Sequence, residues 1–172
     1  MMKTDWRISS LNGALLAAYF IPAWTIVAFK IMISPVHGLF DRPNISVAIF
    51  MSDYLQFAAL STIRFAWLLA LGKMTVVAFF AVFVVFLTRA SIRRSGGCDE
   101  AMAMALAIGG LISFVSMVMA SRVGELAAMR LHAAELLLLL GAAILMAIDS
   151  PLFNSRPARA DASSYSLSNP SS

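Results

Sequence analysis

Long apolar runs separated by short polar ones set the rhythm of this chain. The cleanest run lies between Arg64 and Arg89, FAWLLALGKMTVVAFFAVFVVFLT, 24 residues with one charge at Lys73. At about 1.5 Å rise per residue, a helix of that length reaches roughly 36 Å, enough to cross a hydrocarbon core of about 30 Å with some tilt. Three further runs pass the same test, and the pattern predicts four spans at 11–33, 65–88, 101–120 and 131–148. The fold class expected is all-α: a polytopic membrane protein, a four-transmembrane-helix bundle with an additional interfacial or re-entrant helix between spans one and two.

The first run comes after a short basic start, residues 1–10 with Lys3 and Arg7. It is longer than the apolar region of a signal peptide and is read as a retained span. Pro22 inside it removes one backbone hydrogen bond, which predicts a bend over 18–22. Gly13 with Ala17, and Ala14 with Ala18, are small residues four apart, spaced to admit a neighbouring helix closely.

The stretch 34–62 is harder to place. SPVHGLFDRPN carries Pro35, Gly38 and Pro43 and reads as a turn-rich loop, with Asp41 or Asn44 as an N-cap for the next helix. In ISVAIFMSDYLQFAALST, a helix would bring Ser52, Asp53 and Gln56 to one face, the pattern of a helix at about 44–60 lying on or dipping into the membrane. The alternative, a span over 45–71, leaves only 74–88 for the next crossing and puts Arg89, Arg93 and Arg94 on the side of Arg42, against the positive-inside bias. With four spans, both termini and the middle loop share a side that collects Lys3, Arg7, Arg89, Arg93, Arg94, Arg156 and Arg159, seven of the 13 basic residues. That side is assigned to the cytoplasm of a bacterial inner membrane.

The loop RASIRRSGGCDE between spans two and three has Gly96 and Gly97 to break the helix, and Asp99 and Glu100 to open the next where its dipole favours negative charge. In span three, Ala105, Gly109 and Ser113 form one small-residue row and Ser116, Ala120 and Gly124 another, both suited to helix packing. Residues 149–172 are rich in serine and proline and read as a disordered cytoplasmic tail.

Composition agrees with lipid as the solvent: 60% of residues are hydrophobic, 13% are charged and the mean hydropathy is +0.84. The formal charge of +4 would suggest nucleic acid in a soluble chain. Here the basic residues flank apolar runs, which makes them topology signals and leaves no nucleic-acid partner to infer. A single cysteine, Cys98, excludes an internal disulfide and a cysteine-only metal site. The 11 methionines are scattered through apolar runs as packing residues.

Candidate chemistry emerges when charges are placed by depth. Lys73 is 15 residues from Thr88 and Glu135 is 13 from Ile148, which puts both about 20 Å from the cytoplasmic ends of their helices. Burying an ionisable group in a bilayer costs on the order of 2.5–3.5 kcal/mol, so pairing of Lys73 with Glu135 is one solution and snorkelling of each to the outer interface is the plainer one. Together with His132, Asp53 and Arg64 they make up an expected outward-facing pocket for a ligand or ion. No metal or cofactor is expected in it. A weaker alternative is a bis-histidine b-type haem on His37 and His132. His132 and Glu135 lack a second Glu/His set for a carboxylate-bridged metal pair. There is no phosphate loop, nucleophile elbow or zinc-protease motif.

These observations point to a small non-enzymatic accessory subunit, or a ligand- or lipid-binding membrane protein. Its expected partners are the bilayer and a larger membrane complex or further copies of itself. The alternatives are a small transporter or ion-conducting unit using Lys73 and Glu135, and a haem-bearing electron carrier.

Overall fold

A computed structural model describes residues 8–89 and 97–149. All its elements are helical: α1 (Ile8–Ile33), α2 (Pro35–Leu39), α3 (Ile45–Ile49) running into a π-helical turn (Phe50–Tyr54), α4 (Ala59–Thr88), α5 (Gly97–Val123) and α6 (Leu126–Asp149). There is no strand among the described residues. Lys3 and Arg7 at the start, Arg93 and Arg94 of the middle loop, and the serine-rich tail lie outside the described residues.

Helices α1, α4, α5 and α6 are each long and apolar enough to cross a membrane, as in a multi-pass membrane protein. They run beyond the spans expected from hydropathy; α4, for instance, starts at Ala59 rather than 65. Ser61, Thr62 and Arg64 end the apolar run without ending the helix, because a polar side chain at an interface does not break backbone hydrogen bonds. Likewise α1 continues through Pro22. Packing closes a ring: α1 on α4, α4 on α5, α5 on α6 and α6 back on α1. The Ser9 backbone N–H donates to Asp149 Oδ2 at 3.1 Å and joins the start of α1 to the end of α6, which defines the terminal end of the bundle.

In lipid there is no hydrophobic gain from bringing two helices together, so close backbone approach decides the packing. At Gly13 a Cβ would lie 2.7 Å from the Phe83 ring of α4, and Ala17 one turn on is buried as well. On α5 the small row faces inward, with Ala105, Gly109, Ser113, Ser116 and Ala120 all buried. Gly124 leaves that row. At φ +82° it ends α5 in the left-handed region, and the Gly124 and Glu125 N–H groups both bond to the Ala120 carbonyl at 3.0 Å.

The stretch between α1 and α4 forms a cap over one end of the bundle. Asn44 takes the N-cap position of α3, but its side chain turns away from the helix and Nδ2 donates to the Gly38 carbonyl at 3.1 Å. The π turn is pinned by the Tyr54 hydroxyl, which donates to the Arg122 carbonyl at the end of α5 at 2.7 Å. The expected amphipathic face does not form, because the helix ends at Tyr54 and Gln56 adopts φ +48°. That removes Gln56 from any common face with Ser52 and Asp53.

Two apolar clusters result. Beneath the cap are Ala28, Ile31, Leu39, Val47, Ala48, Met51, Ala66 and Ala70. Toward the terminal end are Leu16, Phe20, Trp24, Val76, Phe80, Phe83, Leu87, Met102, Leu106 and Leu139, with Phe20 and Phe80 stacked at 5.6 Å. Along α4 the step from one cluster to the other falls between Ala70 and Val76, and Lys73 is the buried residue between them.

The cap yields two testable expectations. A Cβ on Gly38 would meet the Ile31 backbone at 2.6 Å, and backbone cannot swing aside as a side chain can. Gly38→Ala should therefore cost about 1–3 kcal/mol in thermal unfolding in detergent. Gly110→Ala, with open space around it, should be neutral or stabilise by up to about 1 kcal/mol. At the cap's edge, Lys30 Nζ lies 2.6 Å from Asp41 Oδ2. The Lys30 hydrogen bond, with help from the Arg42 N–H, holds the Asp41 carboxyl below its usual range. A group lowered in the folded state stabilises above its unfolded value, and that contribution disappears as pH falls through the folded one. NMR titration should find Asp41 protonating below about 3.9, the usual aspartate value, and Lys30→Met should move it back up.

Candidate functional site

A carboxylate in a bilayer needs its oxygens satisfied by the protein itself. Glu135 achieves this by drawing on three of the four spanning helices. From α1, Trp24 Nε1 donates to Oε1 at 3.0 Å. From α5, Ser113 Oγ donates to Oε2 at 3.4 Å. From its own helix, His132 places Nδ1 3.0 Å from Oε2, since residues three apart share a helical face. The fourth helix brings Lys73, whose ammonium lies 5.1 Å from the centre of the Trp24 ring. Trp24 thus stands between the two charges, its face toward the cation and its N–H on the carboxylate.

The cap completes the arrangement. His132 Nε2 lies 3.0 Å from the Pro43 carbonyl oxygen, just before α3. A carbonyl only accepts, so Nε2 carries a proton. On the other side Nδ1 faces the carboxylate, and a hydrogen bond there needs a second proton. The pair holds both either as imidazolium with carboxylate or as neutral imidazole with carboxylic acid. One histidine then bonds the core of the bundle to the backbone of the cap.

Burial overturns the snorkelling expectation. Lys73 and His132 are 2% exposed and Glu135 is 5% exposed. Snorkelling needs an open route to the interface, and the cap covers it. Direct pairing is not what replaces it, because no Lys73–Glu135 ion pair within 4.0 Å forms and Trp24 mediates between them. A desolvated cation over an aromatic face contributes about 2 kcal/mol.

Of the five residues expected to line a pocket, the structure brings together three, Lys73, His132 and Glu135. Asp53 is exposed on the π turn, where it accepts from Ser52 Oγ at 2.7 Å. Arg64 is exposed on α4. The three that meet are packed against their neighbours, so the site is closed where an outward-facing pocket was expected. The haem pair is not assembled either. His37 is exposed and bonds to Ser34 Oγ at 3.0 Å, while His132 has both ring nitrogens engaged. Among the described residues, no three His, Cys, Asp or Glu side chains cluster as a metal site.

Sequence reasoning missed Trp24, Ser113 and the Pro43 carbonyl. Trp24 carried a usable signal, since a tryptophan deep in a span needs an acceptor for its N–H. Ser113 read as a packing residue, and a backbone carbonyl has no sequence signature. Compared with family models, characterised proteins and solved structures, the chain matches none.

Trp24 sets the energetics of the site and can be tested by a thermodynamic cycle. Trp24→Phe removes the donor to Glu135 and should cost about 1.5–3 kcal/mol in unfolding, the range for hydrogen bonds to charged groups. Glu135→Gln should also destabilise. The double variant should lose less than the sum of the two, with a coupling of about 0.5–3 kcal/mol. Additive losses would show that the two side chains do not act together.

Proposed function

We propose that this chain is a non-enzymatic binding protein of the bacterial inner membrane, with both termini in the cytoplasm and a polar binding centre closed beneath an outward-facing cap. The observation that carries this reading is convergence. Trp24, Lys73, Ser113 and the His132–Glu135 pair come from all four spanning helices and meet at one buried point, and the cap supplies a carbonyl. Stability alone does not call for such a set, because buried ion pairs are often replaced by apolar residues without loss. Ionisable groups within a membrane are a functional site by default.

The chemistry favours a small polar ligand. Lys73 offers a cation, Glu135 an anion and Trp24 an aromatic face, so opening the cap would present donors and acceptors together. The basic residues on the terminal side support the assignment of that side to the cytoplasm and of the cap to the outside. Conduction is less well supported. Phe20, Phe80, Phe83, Leu16, Leu87, Met102 and Leu106 fill the bundle between the polar centre and the terminal end, leaving no polar path onward.

Access to the centre distinguishes these readings. In a Cys98→Ala background, Ser113→Cys in intact membranes should react slowly with an impermeant thiol reagent added outside. Loosening the cap with His132→Phe should speed that reaction at least about tenfold, the equivalent of about 1.4 kcal/mol in cap opening. Reagent confined to the cytoplasmic side should leave the thiol unmodified. Equal reaction from both sides would support a conducting path, and no acceleration with His132→Phe would refute the cap as the gate.

A further inference from the structure

Next to the cap, on the outer surface of the bundle, lies a cleft of about 680 Å³ between α1 and α4, lined by Met32, Arg64, Trp67, Leu68, Leu71 and Met74 with Ala70. Its walls are apolar except at one end, where Arg64 sits. The Arg64 side chain makes no hydrogen bond or ion pair with any other described residue and is exposed. The neighbouring cation on α1, Lys30, is neutralised by Asp41 at 2.6 Å. The positive charge at the mouth of the cleft is therefore that of Arg64.

The geometry points to a seat for one anionic phospholipid, with its phosphate on the Arg64 guanidinium and one acyl chain along the cleft toward Met74. Several features fit a lipid rather than a protein partner. Arg64 to Met74 spans ten residues, about 15 Å along α4, so charge and apolar walls are stacked along the membrane normal as headgroup and chain are. Trp67 is half-exposed one turn below Arg64, where amphipathic rings sit at the headgroup level. A planar guanidinium can also hold phosphate oxygens through two parallel bonds. This seat is separate from the buried centre, and its occupancy does not depend on whether that centre binds a ligand.

The full chain in nanodiscs of equimolar phosphatidylglycerol and phosphatidylcholine, with identical acyl chains, provides the test. After gentle release, mass spectrometry counts the lipids retained. Phosphatidylglycerol should be retained about fivefold over phosphatidylcholine, the equivalent of the roughly 1 kcal/mol contributed by one basic residue at an anionic surface. Arg64→Gln should abolish the preference while leaving the unfolding temperature in pure phosphatidylcholine unchanged, and Arg64→Lys should keep part of it. Leu71→Trp, which fills the cleft, should lower retention of both lipids. A preference that survives Arg64→Gln would overturn the proposal. So would competition by glycerol phosphate at concentrations equal to the lipid, since that would show an anion site indifferent to the acyl chain.

Discussion

Glu135 is the constraint that the rest of this structure answers to. A carboxylate some way into a bilayer has no water to fall back on, so its oxygens have to be met by donors from the protein. Trp24, Ser113 and His132 meet them from α1, α5 and α6. The bonds from Trp24 and Ser113 tie α1 and α5 to α6, while the one from His132 lies within α6. Above and below Glu135 the packing is apolar. Lys73 belongs to the same arrangement through Trp24, whose ring carries the ammonium and whose N–H holds the acid.

The same constraint reaches the cap through one side chain. His132 bonds Glu135 with Nδ1 and the Pro43 carbonyl with Nε2, so one ring joins the carboxylate to the seating of the cap. Other ties hold the cap at its edges: Tyr54 on the end of α5, Lys30 with Asp41, and the close fit of Gly38 over the α1 backbone. Those edge contacts are exposed or steric. Among the described residues the His132 bond is the one that passes from the cap into the charged centre, which makes it the latch in the function proposed above.

Much of the fold was legible in the sequence. Four apolar runs gave four spanning helices, and the shortness of 74–88 against a 45–71 span correctly kept the cap from being read as a fifth crossing. Gly13, Ala17 and the α5 row from Ala105 to Ala120 were read as packing residues, and the structure buries them. Helix ends were less legible, because hydropathy marks where lipid stops and not where backbone hydrogen bonds stop. The cap's interior was illegible for a related reason: Gln56 lies beyond the helix in a conformation that side-chain patterns do not signal. At the site, depth alone brought Lys73, His132 and Glu135 together. It misjudged their exposure, since burial depends on a cap whose placement comes from tertiary contacts. Asp53 and Arg64 stay outside the site, Asp53 exposed on the π turn of the cap and Arg64 nine residues, about 13 Å, before Lys73 along α4, distances that a count of outer-half charges does not resolve.

The most direct test of the central role of Glu135 is hydrogen–deuterium exchange of the protein in nanodiscs, wild type against Glu135→Gln, resolved by peptide. If the carboxylate holds His132 as the latch, exchange should rise over residues 35–54, while the terminal halves of α1, α4 and α5, packed around Phe20, Phe80 and Phe83, keep their protection. Unchanged exchange over the cap, or a uniform rise throughout the bundle, would contradict the account.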